Sequence, residues 1–140
     1  MSKPPQPYTP TILIADDEPL FVSSLARLVR KAGLSFIADT TSELVLELAR
    51  TRRPEVIVLD IHQHIDGRDL LSRLKKDPAT RDIKVLVLTA IEDEYLRATC
   101  LELGADDVEL KPFDDAIIQK IARMAHAAAG LHGQPLAIAS

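Results

Sequence analysis

Residues 56–67, VIVLDIHQHIDG, are the stretch whose reading decides the fold. Val56, Ile57, Val58 and Leu59 lead into a single acid, Asp60, and the chain then breaks into a polar loop closed by Asp66 and Gly67. An apolar run without alternation, bounded by Pro54 and Gly67, is the pattern of a strand buried on both faces, as in a parallel sheet. Asp60 then stands at the carboxyl end of that strand, the edge where open α/β sheets bind ligands. A lone Asp in such a place more often does no more than end a strand in solvent. Its meaning depends on what the other strands deliver to the same edge.

Upstream, Thr11–Ala15 (TILIA) reads as a first buried strand that runs directly into Asp16, Asp17 and Glu18. Pro19 suits the first turn of a helix whose apolar stripe is Phe21, Leu25, Leu28, Val29 and Ala32, with Gly33 as its stop. A second strand is expected over 34–38, and Thr40 with Glu43 has the form of a capping box for a helix over 42–52. The third strand covers 55–60, and a helix over 68–76 ends at Asp77 and Pro78. Downstream, a fourth strand over 84–88 delivers Thr89, and a helix over 92–103 is closed by Gly104. A fifth strand, Asp107–Leu110, ends at Lys111 and Pro112. The last helix, over 114–129, carries Ile117, Ile121, Met124 and Ala125 on its stripe and meets Gly130. Strands alternating with helices predict an α/β fold, a single doubly wound (βα)5 domain with a parallel sheet. The expected boundaries are a Pro-rich lead over 1–10, the domain over 11–129, and a tail or linker start over 130–140.

The chain's 140 residues suit one domain. Its apolar runs are too short to cross a bilayer, and the N-terminus has no signal-peptide core, so no membrane association and a cytoplasmic location are expected. The single Cys100 excludes a disulfide framework and a multi-cysteine metal site, and on a helical pattern it packs as a small hydrophobe. A net charge of -4 with no dense Lys/Arg run argues against direct nucleic-acid binding. His62 and His64, two loop histidines at i and i+2 with no third soft ligand, read as solvated residues.

The polar residues that remain all fall at strand ends: Asp16 and Asp17 after the first, Asp60 after the third, Thr89 after the fourth, Lys111 after the fifth. Three carboxylates gathered at one edge repel one another, and a stable arrangement calls for a cation. A hard divalent ion such as Mg²⁺, held by carboxylates, waters and phosphate oxygens, answers that need. Lys111 adds a positive charge and Thr89 a hydroxyl, the pieces that neutralise and hydrogen-bond a phosphoryl group. Asp60 is then the candidate nucleophile, forming an acyl phosphate.

Over residues 11–129 the chain resembles the receiver domain of bacterial two-component response regulators. ILIADDEP, VIVLD, VLTA and GADDVELKPF carry that resemblance in order and spacing. It implies the flavodoxin-like fold with sheet order 2-1-3-4-5. It also implies roles: Asp60 as phosphoacceptor, Asp16 and Asp17 as metal-binding acids, the backbone carbonyl of His62 as a further metal contact, Thr89 as switch hydroxyl and Lys111 as the phosphate-pairing lysine. The implied cofactor is Mg²⁺, and the implied phosphoryl donor is a histidine kinase or histidine phosphotransfer protein. Phosphorylation would alter contact with a downstream protein target or output domain, and the surface of the fourth helix, fifth strand and fifth helix is the implied site of targets or a homodimer. The activity is signalling and not that of a metabolic enzyme.

Two departures from the family pattern stand out. Gln63 and His64 occupy the positions of a Met-Pro pair, and Gly67 arrives one residue early, which is expected to loosen the loop and to shift the carbonyl of His62. Val108 replaces the aromatic residue three positions before the lysine, so the switch is expected to bias another element, such as the loop after Asp60 or the loop around Ile91 and Glu92. The alternative is a pseudo-receiver, a phosphorylation-independent interaction or dimerisation module. A metal-dependent phosphatase on the same fold lacks a Gly-rich phosphate loop and a second general acid in this sequence.

Overall fold

A computed structural model describes residues 8–131, with side chains through residue 130. Most of the expected Pro-rich lead and of the tail lies outside the described residues. The elements follow in strict alternation: β1 (Thr11–Ala15), α1 (Pro19–Lys31), β2 (Ser35–Asp39), α2 (Val45–Arg52), β3 (Val56–Asp60), α3 (Gly67–Lys76), β4 (Lys84–Thr89), α4 (Glu94–Glu102), β5 (Asp107–Leu110) and α5 (Asp115–Leu131). The strands form one parallel sheet in the order β2-β1-β3-β4-β5, the flavodoxin-like order.

The side-chain alternation of the strands builds two cores from one sheet. Leu13, Ile57, Leu59, Val85 and Val87 face α2, α3 and α4, where they meet Val45, Ala49, Leu70, Leu71, Leu74, Leu96 and Cys100. Their neighbours Ile12, Ile14, Val56, Val58, Leu86 and Leu88 face α1 and α5, where they meet Val22, Leu25, Val29, Ile117, Ile121 and Ala125. Every residue of β3 is buried, which is why its sequence shows no polar alternation. Each such apolar side chain contributes roughly 1.5–3 kcal/mol on burial.

Tertiary packing adjusts several expected boundaries. The stripe of α1 is Val22, Leu25, Ala26 and Val29, with Ala32 exposed and Phe21 and Leu28 only half-buried. Phe21 is displaced to the rim because its ring meets Phe113 edge-on, with centroids 5.4 Å apart. Helix α2 starts at Val45 without the expected capping box. No side chain caps it; the buried carboxylate of Asp39 instead holds the turn before the helix, accepting hydrogen bonds from Thr41 N (2.8 Å), Thr41 Oγ1 (2.5 Å) and Leu44 N (2.8 Å). Ser42 is thereby turned into the left-handed region at φ 62. Helix α4 begins later than expected, because the Asp93 carboxylate caps it from Tyr95 N and Leu96 N. Gly33 and Gly104 end their helices with φ of 88 and 110, as their positions predict. Gly130, by contrast, lies inside α5, which the buried Ala128 and Ala129 carry past it. Met124 is half-buried, and Ile118 joins the α5 stripe in its stead.

Gly67 is required by close approach. A Cβ there would stand 2.5 Å from Ile61 Cα and 2.6 Å from Asp60 O, both backbone atoms that cannot step aside. Gly67→Ala is therefore expected to cost about 2–3 kcal/mol, read as a lower urea midpoint. Gly130→Ala, where an added Cβ meets nothing within 4 Å, is expected to leave the midpoint unchanged or raise it.

Candidate functional site

The order of the sheet reverses at β1, so the crevice between the carboxyl ends of β1 and β3 is the natural binding position. Asp16 and Asp17 follow β1, and Asp60 ends β3. Each offers one carboxylate oxygen such that all three lie within 4.8 Å of one another, with Asp16 and Asp60 buried and Asp17 exposed. Lys111, following β5, reaches across the edge into this group. Its Nζ lies 2.8 Å from Asp16 Oδ2, 2.9 Å from Glu18 Oε1 and 3.8 Å from Asp60 Oδ2. The peptide bond from Lys111 to Pro112 is cis.

The electrostatics follow from burial and crowding. Burial pushes the Asp60 carboxyl up to about 6, and the negative charges of Asp16 and Asp17 add to that. Lys111 and the backbone N–H of His62, which donates to Asp60 Oδ1 at 3.2 Å, oppose the rise without cancelling it. For Lys111, burial works against the charge, but its bonds to Asp16 and Glu18 prevail and hold its pKa above the usual lysine value. The ammonium also sits 4.2 Å from the centroid of the Phe21 ring, a cation–π contact that covers its remaining face.

The donor set is entirely carboxylate oxygen, which suits a hard divalent cation such as Mg²⁺ and not a soft-ligand metal. His62 and His64 are both exposed and contribute no ring nitrogen to the cluster. A second cation beside Lys111 also answers the excess of negative charge that raises Asp60.

Thr89 is buried one strand over from Asp60, and its Oγ1 accepts a hydrogen bond from Ile91 N at 3.1 Å. Its carbonyl accepts from Lys111 N at 2.8 Å, which joins the threonine to the lysine through the backbone. Val108 is buried on β5, and a cavity of about 180 Å³ opens near it, lined by Thr89, Ile91, Glu92, Arg97 and Leu110 among others. The loop over 61–66 is tied at several points. Gln63 Nε2 donates to Asp60 O at 2.7 Å and to Ala15 O at 3.3 Å, Ile65 N donates to Ser42 Oγ at 3.0 Å, and Gly67 N donates to Ile61 O at 3.0 Å. The loop expected to be loosened thus carries hydrogen bonds from the Gln63 carboxamide, to the Ser42 hydroxyl and within its own backbone.

Sequence reasoning left Glu18, Phe21 and Ser42 outside the site and marked Gln63 only as a divergent position in the loop after Asp60. Glu18 was legible, as the third acid after a strand that carries two others. Nothing in the spacing marks Phe21 as the floor under Lys111 or Ser42 as the anchor of a loop 23 residues downstream.

With this geometry in view, comparison with known proteins is direct. The family model of the response regulator receiver domain matches residues 12–123. Among curated proteins, the chain is 35% identical over 103 residues to the alkaline phosphatase synthesis transcriptional regulatory protein PhoP of Bacillus subtilis, covering 73% of this chain and 42% of that protein. It is 40% identical over 116 residues to the transcriptional activator protein IrlR of Burkholderia pseudomallei, covering 81% of this chain and 48% of that protein. The chain therefore spans less than half the length of each of these relatives. Among solved structures, the Francisella response regulator 1452 receiver domain superposes with a TM-score of 0.78 at 26% identity, covering 85% of this chain and 98% of that one. A putative response regulator from Chloroflexus aurantiacus gives the same TM-score of 0.78 at 26% identity, covering 85% and 99%. The strand order, the acid cluster at the topological switch point and these matches lead to one conclusion: the chain belongs to the family of response regulator receiver domains.

Proposed function

We propose that this domain accepts a phosphoryl group on Asp60 from a phosphohistidine of a kinase or phosphotransfer protein and uses the change to alter a protein contact. The observation that carries the reading is the convergence of three carboxylates within 4.8 Å, with the Lys111 ammonium at their edge. An Asp60 carboxylate oxygen attacks phosphorus, a new P–O bond forms, and the P–N bond to the donor imidazole breaks. Lys111 and the Thr89 hydroxyl then neutralise and hydrogen-bond the phosphoryl oxygens. Asp16, Asp17, Asp60 and the carbonyl of His62 would hold Mg²⁺, which would supply charge that screens the anions from one another. Asp60 must be ionised to attack, so cations around it matter twice: they lower its proton affinity and they offset repulsion from the incoming phosphate.

The readout rests on Thr89. Its hydroxyl accepts from Ile91 N, so turning toward a phosphoryl group releases that amide and frees the loop from Ile91 to Asp93. That loop leads into α4, and the face formed by α4, β5 and α5 is the proposed contact surface for a target, an output domain or a second copy. Relatives are named as transcriptional regulators, so any nucleic-acid contact is assigned to a part of the protein other than this domain. Among the described residues no helix is long and apolar enough to cross a membrane. The buried Val108, in place of an aromatic switch, favours one competing reading, a pseudo-receiver that binds partners without phosphorylation.

Incubation with acetyl phosphate and Mg²⁺ is expected to add one phosphate to the wild type and none to Asp60→Asn, read by intact mass spectrometry. A wild type without an adduct supports the pseudo-receiver. Millimolar Mg²⁺ is expected to raise the wild-type melting temperature, because only the folded chain assembles the site. The raised Asp60 pKa sets a pH dependence in metal-free buffer. The folded state binds this proton more tightly than the unfolded state, so the stabilisation is complete below pH 3.8 and is lost as pH rises through about 6. Asp60→Asn is accordingly expected to be more stable than wild type by on the order of 1–2 kcal/mol at pH 8, with the difference vanishing near pH 4.

A further inference from the structure

Gln63 makes contacts that neither the fold nor the phosphoacceptor reading requires. Its side chain lies in the loop directly after Asp60, and its Nε2 bridges two backbone carbonyls on different strands, Asp60 O at 2.7 Å and Ala15 O at 3.3 Å. The orientation of the carboxamide is settled by chemistry, since both partners are acceptors and only the –NH₂ can face them. Its Oε1 is then buried, and it is the one buried side-chain nitrogen or oxygen among the described residues that lacks a hydrogen-bond partner. A buried acceptor left unpaired opposes folding. The two Nε2 bonds place this side chain beside the cluster of acids.

The two carbonyls it joins are what bear on the site. Ala15 directly precedes Asp16 and Asp17, and Asp60 is the third acid of the cluster. One amide thus spans the gap across which the carboxylates must be held against their mutual repulsion. The same bond pins the loop that carries His62, whose N–H donates to Asp60 Oδ1. Neighbouring His64 is exposed and makes no such tie.

We propose that Gln63 is a positioning residue for the acid site: its carboxamide staples the carboxyl ends of β1 and β3 and so sets the spacing that captures a divalent cation. The proposal rests on the reading of this edge as a cation-dependent phosphoryl site. It requires the donor group specifically, because a side chain of similar volume without an N–H fills the space but cannot tie the strands.

The test compares wild type, Gln63→Met and His64→Ala in two arms. In metal-free buffer, amide hydrogen exchange at Ile65 and Gly67 is expected to speed up at least tenfold in Gln63→Met and to stay unchanged in His64→Ala, with both urea midpoints within about 0.3 M of wild type. In the second arm, Mg²⁺ is titrated against the backbone amide chemical shifts of Asp17, Ile61 and His62. The dissociation constant is expected to rise about tenfold in Gln63→Met, equal to about 1.4 kcal/mol, and less than twofold in His64→Ala. If wild type responds to Mg²⁺ and Gln63→Met matches it, the staple is refuted while the functional reading stands. If His64→Ala loses as much affinity as Gln63→Met, the effect belongs to the loop in general and the proposal also fails. If wild type shows no Mg²⁺ response at all, the functional reading falls and the staple with it.

Discussion

One ammonium group holds the carboxyl edge of this sheet together. Lys111 Nζ stands within 4 Å of Asp16, Glu18 and Asp60, three carboxylates delivered by two strands, and rests on the ring of Phe21. The parallel sheet makes this crowding unavoidable, since all its strands point their carboxyl ends the same way and β1 lies next to β3. Without a cation the buried pair Asp16 and Asp60 repel in a medium where charge is poorly screened. Lys111 reduces the repulsion but leaves the Asp60 carboxyl raised to about 6, so the site retains an appetite for further positive charge. The same imbalance accounts for its fit to a hard divalent ion.

The loop after Asp60 shows how a structural restraint can change chemistry without being lost. A proline restrains backbone through its ring, whereas here a glutamine amide, a serine hydroxyl and a glycine amide do so by hydrogen bonds. The difference has a physical consequence. A ring restrains φ permanently, while hydrogen bonds to carbonyls at the site's edge couple the loop to the spacing of the acids. Gly67 lets this happen by allowing the backbone of α3 to lie directly against that of Asp60 and Ile61.

On the other flank, the surface of α4, β5 and α5 settles much of its charge within the chain. Lys120 pairs with both Asp107 and Glu109, and Arg97 donates to Val108 O at 2.5 Å and to Asp107 at 3.5 Å. With valine at position 108, no ring fills the space beside Thr89, and the cavity there stays open. Ile91, one of its lining residues, is exposed. The hydrogen bond from Ile91 N to Thr89 Oγ1 ties Thr89 to the loop that borders this cavity.

The sequence by itself determined the element order, the parallel sheet and the five strand-end residues. These depend on period, burial and chain breakers within a few positions, and an unbroken apolar run such as 56–59 has few places to go but a doubly covered strand. It could not determine whether a local cap forms. Thr40 and Glu43 form a correct box on paper, yet α2 starts at Val45 without a side-chain cap, and the buried Asp39 carboxylate holds the preceding turn at Thr41 and Leu44. Only the tertiary structure decided that Phe21 supports Lys111, that Ser42 anchors Ile65, and that Gln63 joins β1 to β3. Those contacts bring together residues from separate turns of the chain at distances of a few ångströms, and no pattern along the sequence encodes them.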